Sequence, residues 1–178
     1  MSRYRRSLVP GGTYFFTVNL ADRRSRLLVE HIDRLRAAFQ SVRARRPFQT
    51  IAVCVLPDHL HAILRLPDGD ADFSGRWSLV KRLFSSALPA SETLAPSKAA
   101  KREKGIWQRR FWEHQIRDDV DLQQHVDYVH FNPVKHGLVR QAKDWPHSSF
   151  HAHVRRGDLQ EDWAGGADDG DAAFGERG

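Results

Sequence analysis

Two apolar runs, Phe48 to Leu56 and His59 to Leu66, are separated only by Pro57 and Asp58. A proline presets the backbone of a tight turn and the following aspartate bonds nearby amides, so this pair favours chain reversal. Two short apolar runs joined by such a pair predict a β-hairpin. Upstream, Thr13 to Leu20 is aromatic and β-branched and follows the Pro10-Gly11-Gly12 break, which predicts a first strand. Between strand and hairpin, Ile32, Leu35, Phe39 and Val42 recur at three- and four-residue spacing within Glu30 to Arg46. That pattern buries one stripe of a helix that ends at Pro47. A second helix is expected over Arg76 to Ser86 and a fourth strand over Trp107 to Arg117. Asp118 and Asp119 supply an N-cap and first-turn acids for a last helix from about Val120 to Phe131, stopping near Pro133. The order β-α-β-β-α-β with one further helix predicts an α+β fold, a ferredoxin-like split β-α-β antiparallel sheet with an added C-terminal helix.

The 178 residues fit one domain, and 40% hydrophobic content is enough for a packed core. Residues 87–105, rich in Ala, Ser, Pro and Lys, read as a mobile loop. The segment 158–178 reads as an acidic, disordered tail on a domain of residues 1–157. Without that tail the chain carries 27 bases against 15 acids, a net +12, which attracts polyanions and nucleic acid first. No apolar run approaches a membrane span or a signal segment, so a cytoplasmic protein is expected. With Cys54 alone, cysteine-based zinc clusters and internal disulfides are excluded.

His59-Leu60-His61 lies in the third predicted strand, where alternate side chains share a face about 6.5 to 7 Å apart. Both imidazoles therefore point to one side and can converge on one ion, on what reads as the outer face of the sheet. On the last helix, Leu122, Val126 and Val129 form the core stripe, while Asp121, His125, Tyr128 and Asn132 form a second stripe about 90° round. Packed against the histidine-bearing sheet, that helix would bring a phenol and an amide to the same volume. The combination suggests phosphoryl transfer, with a metal polarising phosphate and a tyrosine attacking it. Of the three tyrosines, Tyr4 lies in the basic arm and Tyr14 in a core strand, which leaves Tyr128 as the nucleophile candidate. Gln124, one turn earlier, offers an alternative amide, and His125 is either an exposed helix histidine or an acceptor for the tyrosine proton.

Three motifs carry a resemblance. Leu56-Pro57-Asp58-His59-Leu60-His61, Trp107-Gln108-Arg109-Arg110-Phe111-Trp112 and Tyr128-Val129-His130-Phe131-Asn132-Pro133-Val134-Lys135-His136-Gly137 resemble, in this order, the REP-associated tyrosine transposases of the HUH superfamily. The resemblance implies a bacterial, nucleoid-associated nuclease that cleaves and rejoins single-stranded DNA beside imperfect palindromic hairpins, through a 5′-phosphotyrosyl intermediate. It assigns Tyr128 as nucleophile and His59, His61 and Asn132 as ligands of a divalent ion. Two imidazoles and an amide leave the ion's charge uncompensated, so Mg²⁺ or Mn²⁺ completing its shell with phosphate is expected. Phosphate contacts are expected from Arg3, Arg5 and Arg6 in the arm, from Lys81 and Arg82 on the second helix, from Lys101 and Arg102 in the loop, and from Arg109 and Arg110. Trp107, Phe111 and Trp112 are interleaved with the latter pair, as suits base stacking, with Trp112 expected more in the core than on a base. A monomer is expected. In the family pattern Asn often stands at the position of Asp58, which reads here as a turn residue rather than an orienting carboxylate, and Trp145, Ser148 and Ser149 match a motif with no evident chemistry. The rival readings are a non-catalytic single-stranded nucleic-acid-binding module of the same fold and a metal-dependent hydrolase without a covalent step.

Overall fold

The computed structural model describes residues 8–91 and 104–165. Its strands are β1 (Thr13–Asn19), β2 (Gln49–Val55), β3 (His59–Arg65) and β4 (Trp112–Gln115). The helices are α1 (Leu27–Glu30), α2 (Ile32–Arg45), α3 (Phe73–Ser85), α4 (Asp119–Lys135) and α5 (Phe150–Arg156). The sheet runs β2-β3-β1-β4 with every neighbouring pair antiparallel, the split arrangement expected from the element order.

Alternation along β1 and β3 divides the core in two. Tyr14, Phe16 and Val18 of β1 and Leu60, Ala62 and Leu64 of β3 face α2 and α3, where Leu35, Val42, Trp77 and Phe84 complete the larger cluster. Phe15 and Ile63 face the other way, onto a second cluster with Val126, Tyr128 and Val129 of α4. The sheet is therefore covered on both sides, and its two central strands are buried almost throughout. Ile32 and Phe39, expected fully in the stripe of α2, are only partly buried at its edge.

Caps set several boundaries that periodicity left open. Asp72 accepts a bond from the Gly75 amide at 2.8 Å, so α3 begins at Phe73, three residues before the expected start. A Cβ at position 75 would crowd that same carboxylate and the Arg46 guanidinium, so a side chain there would displace the cap. Asp118 caps α4 in the same way, through the Asp121 amide at 2.8 Å. The expectation that this helix stops near Pro133 is not met, since α4 runs through Pro133 to Lys135. Proline removes one backbone donor and crowds the carbonyl four residues back, yet this helix continues two residues past it. Here the His136 amide still reaches the Asn132 carbonyl at 3.0 Å, and Gly137 at φ +67° closes the end. Strand β4 is shorter than expected because Phe111 turns into the α3-side core and Arg109 and Arg110 leave for solvent.

Residues 145–149 account for the motif without chemistry. Strand β2 is an edge of the sheet, and an open edge invites pairing with other chains. Here the edge is sealed: the Val55 amide bonds the His147 carbonyl, the Ser149 amide bonds the Val53 carbonyl, and the Trp145 indole donates to the Val55 carbonyl at 3.0 Å. Beyond α5, Trp163 packs against Phe131 and Phe150, and Asp158 pairs with Arg156 at 3.0 Å. The remainder of the acidic stretch, and residues 92–103 of the expected loop, lie outside the described residues. Among the described residues no helix is long and apolar enough to cross a membrane.

Phe16 is fully buried between Tyr14, Phe73, Trp77 and Phe111. Phe16→Ala is expected to lower unfolding stability by about 3 to 5 kcal/mol, read from a urea titration by circular dichroism.

Candidate active site

His59 and His61 occupy the face of β3 covered by α4, so they are buried rather than on an outer face, at 1% and 0% exposure. The sequence placed them on one side correctly but could not tell that a helix roofs that side. Their rings lie 4.9 Å apart at 84°. Register sets what holds each ring: β1 places Thr17 opposite His61 and Asn19 opposite His59. His61 Nδ1 is 2.9 Å from the Thr17 hydroxyl. His59 Nδ1 is 2.8 Å from Asp58 Oδ1, and Arg23 Nε bonds the other oxygen at 3.1 Å. Arg23 also donates to the Asn19 amide oxygen.

Asp58 thus does more than form the turn. Burial opposes its ionisation, but the bond from His59 and the charge of Arg23 outweigh this and hold its carboxyl below the usual range. A carboxylate can only accept, so His59 Nδ1 carries the proton and Nε2 presents a lone pair. That Nε2 is buried and, among the described residues, has no hydrogen-bond partner. Burial lowers the His59 pKa despite Asp58, keeping the ring neutral near pH 7, the form a metal requires. Carboxylate on one ring nitrogen and an open lone pair on the other is the usual arrangement of a metal-binding histidine.

Helix α4 supplies the opposing side. The Tyr128 ring sits 5.2 Å from that of His61 and 5.9 Å from Phe15. Lys135 Nζ lies 3.3 Å from the Tyr128 hydroxyl and 4.7 Å over its ring. Past the helix end, the His136 ring is 5.2 Å from His59. Asn132, fully buried, lies one turn after Tyr128 and one turn before His136 on the same face, bracketed by the two residues that reach the histidines. Gln124, the alternative amide, is exposed. Tyr14 is committed elsewhere, since its hydroxyl accepts from the Val9 amide at 2.7 Å and donates to the Val9 carbonyl. Tyr4 lies outside the described residues.

His125 is not an exposed helix histidine: it is buried, 4.9 Å from the Phe15 ring. It belongs to a hub around Asp121, whose carboxylate takes bonds from Arg117 Nε and backbone N and from His114 Nε2, at 2.9 to 3.0 Å. Burial penalises the Asp121 charge, yet these bonds prevail and hold its carboxyl far below the usual range. His114, Asp121 and His125 offer donor atoms within 4.8 Å of one another, a group that could hold a metal. Its two imidazoles, however, are stacked in parallel at 4.6 Å and 10°. Ring lone pairs lie in the ring planes, so one ring must turn before both can aim at one ion. The hub as it stands anchors α4 to β4.

Of the expected phosphate-contacting residues, Arg3, Arg5, Arg6, Lys101 and Arg102 lie outside the described residues. Arg82, Arg109 and Arg110 are exposed. Lys81 donates to the Gln108 carbonyl at 2.8 Å and lies over Trp107 and Phe111. Lys81, Arg82, Trp107 and Arg109 line a basic cavity of about 460 Å³. It flanks the end of β1 that carries Asn19, since the Gln108 amide bonds the Asn19 carbonyl. Arg76, in the helix expected to meet phosphates, is buried and clamped by both Asp70 oxygens and the Pro47 carbonyl. Trp112 is half-buried, edge-on to Phe15 and stacked with His114.

No family model matches the chain. A putative REP-associated tyrosine transposase of Haemophilus influenzae is 46% identical over 169 residues, covering 94% of this chain and 96% of that one. The REP-associated tyrosine transposase of Escherichia coli K12 is 49% identical over 177 residues, covering 99% and 98%. A solved structure of a REP-associated tyrosine transposase bound to a REP hairpin superposes with a TM-score of 0.86 at 49% identity, covering 99% of this chain and 98% of that one. The fold and these likenesses define a DNA transposase. The chain belongs to the REP-associated tyrosine transposase family.

Asp121→Ala removes the anchor of α4 and leaves His114 and Arg117 without their acceptor; a loss of about 1 to 3 kcal/mol in unfolding stability is expected, measured by denaturant titration. His130, fully buried against Ser149 and His153, sets a pH dependence. Burial, reinforced by the neighbouring His153 and Arg156, pushes its pKa from 6.5 to about 3. Above about pH 6.5 neither folded nor unfolded imidazole binds the extra proton, and His130 adds no pH dependence. Below it the unfolded chain takes the proton and the folded chain does not, so stability falls toward pH 3. Thermal melts between pH 7 and 5 should fall more steeply for the native chain than for His130→Gln.

Proposed function

We propose that this transposase cleaves and rejoins single-stranded DNA beside imperfect palindromic hairpins, with Tyr128 as nucleophile and a divalent ion, Mg²⁺ or Mn²⁺, held by His59, His61 and Asn132. The observation that carries the reading is the His59 ring: Asp58 holds its Nδ1, its buried Nε2 is left open, and His61 beside it touches the Tyr128 ring. An ion bound there would supply Lewis-acid polarisation of a phosphate oxygen and orient the scissile group.

The remaining work falls to the chain. Asp58 fixes the tautomer and orientation of His59, and Thr17 holds the orientation of His61. The Tyr128 oxygen attacks phosphorus, the bond to O3′ breaks, and the products are a 5′-phosphotyrosyl end and a free 3′-hydroxyl. Attack by an incoming 3′-hydroxyl reverses the step and joins two strands. The hairpin in the relative's solved structure supports the same partner here. Arg82, Arg109, Arg110 and Lys81, with Arg3, Arg5, Arg6, Lys101 and Arg102, would neutralise the DNA backbone, and Trp107 would stack an unpaired base. The unit would be residues 1–157, acting as a monomer in the bacterial cytoplasm at the nucleoid, with 158–178 as a solubilising acidic tail.

The test incubates the protein and Mg²⁺ or Mn²⁺ with labelled single-stranded DNA carrying hairpins from the flanks of its own gene, followed by denaturing electrophoresis. A covalent adduct is expected from the native chain, none from Tyr128→Phe, and a yield at least about a hundredfold lower from His59→Ala or in excess EDTA. Cleavage without an adduct would make the protein a hydrolase, and binding without cleavage a recognition module; either result sinks the reading.

A further inference from the structure

The phenolic oxygen of Tyr128 carries the charge problem of the reaction. It must bring a negative charge to an anionic phosphodiester during cleavage and leave with that charge during rejoining. The tyrosine side chain is buried, at 2% exposure, whereas Lys135 is only half-buried. Lys135 Nζ stands 3.3 Å from the hydroxyl and 4.7 Å over the ring, so the ammonium flanks the phenol on a side nearer to solvent. Its position follows from the helix: seven residues are two turns less about 20°, and α4 continues past Pro133 without losing that register.

We propose that Lys135 is a catalytic residue, donating a charge-assisted hydrogen bond to the Tyr128 oxygen and receiving the scissile phosphate as it approaches. This role rests on the reading of Tyr128 as nucleophile. An ammonium has three donors and no acceptor, so Lys135 does not take the phenolic proton; that proton leaves to water. In cleavage a lone pair on the tyrosine oxygen forms the bond to phosphorus. The bond to O3′ breaks with its electron pair on O3′, which takes a proton from water. In rejoining the incoming 3′-hydroxyl oxygen forms the bond to phosphorus and gives its proton to water, the bond between phosphorus and the tyrosine oxygen breaks, and the returning pair meets the Lys135 donor before the oxygen regains a proton from water. The ammonium is charged throughout, so what the contact gains when the oxygen becomes anionic is the direct attraction of opposite charges, and it is tighter then. A lysine that tightens on the charged form lowers barriers, beyond stabilising the helix end as a last-turn cation.

The test uses the full chain, saturating hairpin-bearing single-stranded DNA and Mn²⁺, and reads adduct formation and rejoining separately in single turnovers. Lys135→Met is expected to slow both by roughly 10- to 100-fold while the DNA remains bound. Lys135→Cys should be as slow, and alkylation with 2-bromoethylamine, which rebuilds an ammonium at the same reach, should restore most of the rate. Alkylation with 1-bromopropane rebuilds the bulk without the charge and should restore none. Cys54 does not interfere, because it is fully buried and burial pushes its thiol pKa up. Native rates in Lys135→Met, or equal rescue by both reagents, would overturn the role while leaving the nucleophile standing. Absence of an adduct in the native chain itself would remove the nucleophile, and this role with it.

Discussion

The Asp121 carboxylate decides where α4 lies. A ferredoxin-like sheet packs its two crossover helices on one face and leaves the other open, and the open face here carries His59 and His61. Helix α4 closes that face. Its roll and height are set at the N-terminal end, where Asp118 caps the first turn and Asp121 gathers Arg117 and His114. Seven residues further, the roll places Tyr128 against His61; another seven place Lys135 on the tyrosine oxygen. An apolar contact can slide at modest cost, whereas a buried carboxylate held by several donors cannot move without giving some of them up.

The active face is consequently an unusual stretch of interior. Phe15, Ile63, Val129 and Ala52 pack there as an ordinary core, yet His59, His61, Thr17 and Asn132 lie among them at 4% exposure or less. Burying such groups is tolerable only when each polar atom has an assigned use. The inner ring nitrogens are used, by Asp58 and Thr17. The His59 Nε2 is the exception, a buried lone pair that meets no donor among the described residues, and the proposed metal site rests on that atom.

Much of this was legible in the residues. Element order gave the sheet topology, and alternation in β3 put the two histidines on one side. Helical periodicity grouped Asp121, His125, Tyr128 and Asn132 correctly, because a 3.6-residue repeat needs no tertiary information. What failed depended on contacts distant in sequence. The stripe lies about 90° round from the core stripe, but the helix is covered there too, so His125 and Asp121 are interior. Asp58 read as a turn former because its partner Arg23 lies 35 positions away in the chain. Lys135 was overlooked for a local reason: a proline at 133 implies a helix end, and a residue beyond an ended helix has no defined face. Nothing in a linear reading of the second helix announces the Asp70 clamp that holds Arg76 in the interior.

The strip of residues 147–149 along the β2 edge bears on how the enzyme comes into being on the ribosome. All four strands have been translated once Gln115 is added, but both the roof over the histidines and the cover of the β2 edge come from later sequence. Until Lys135 has been added, a nascent chain can form the sheet but not the whole helix that roofs His59 and His61, and the β2 edge stays uncovered until Ser149 follows. The order of the segments thus leaves the histidine-bearing face bare after the opposite face has received both of its helices.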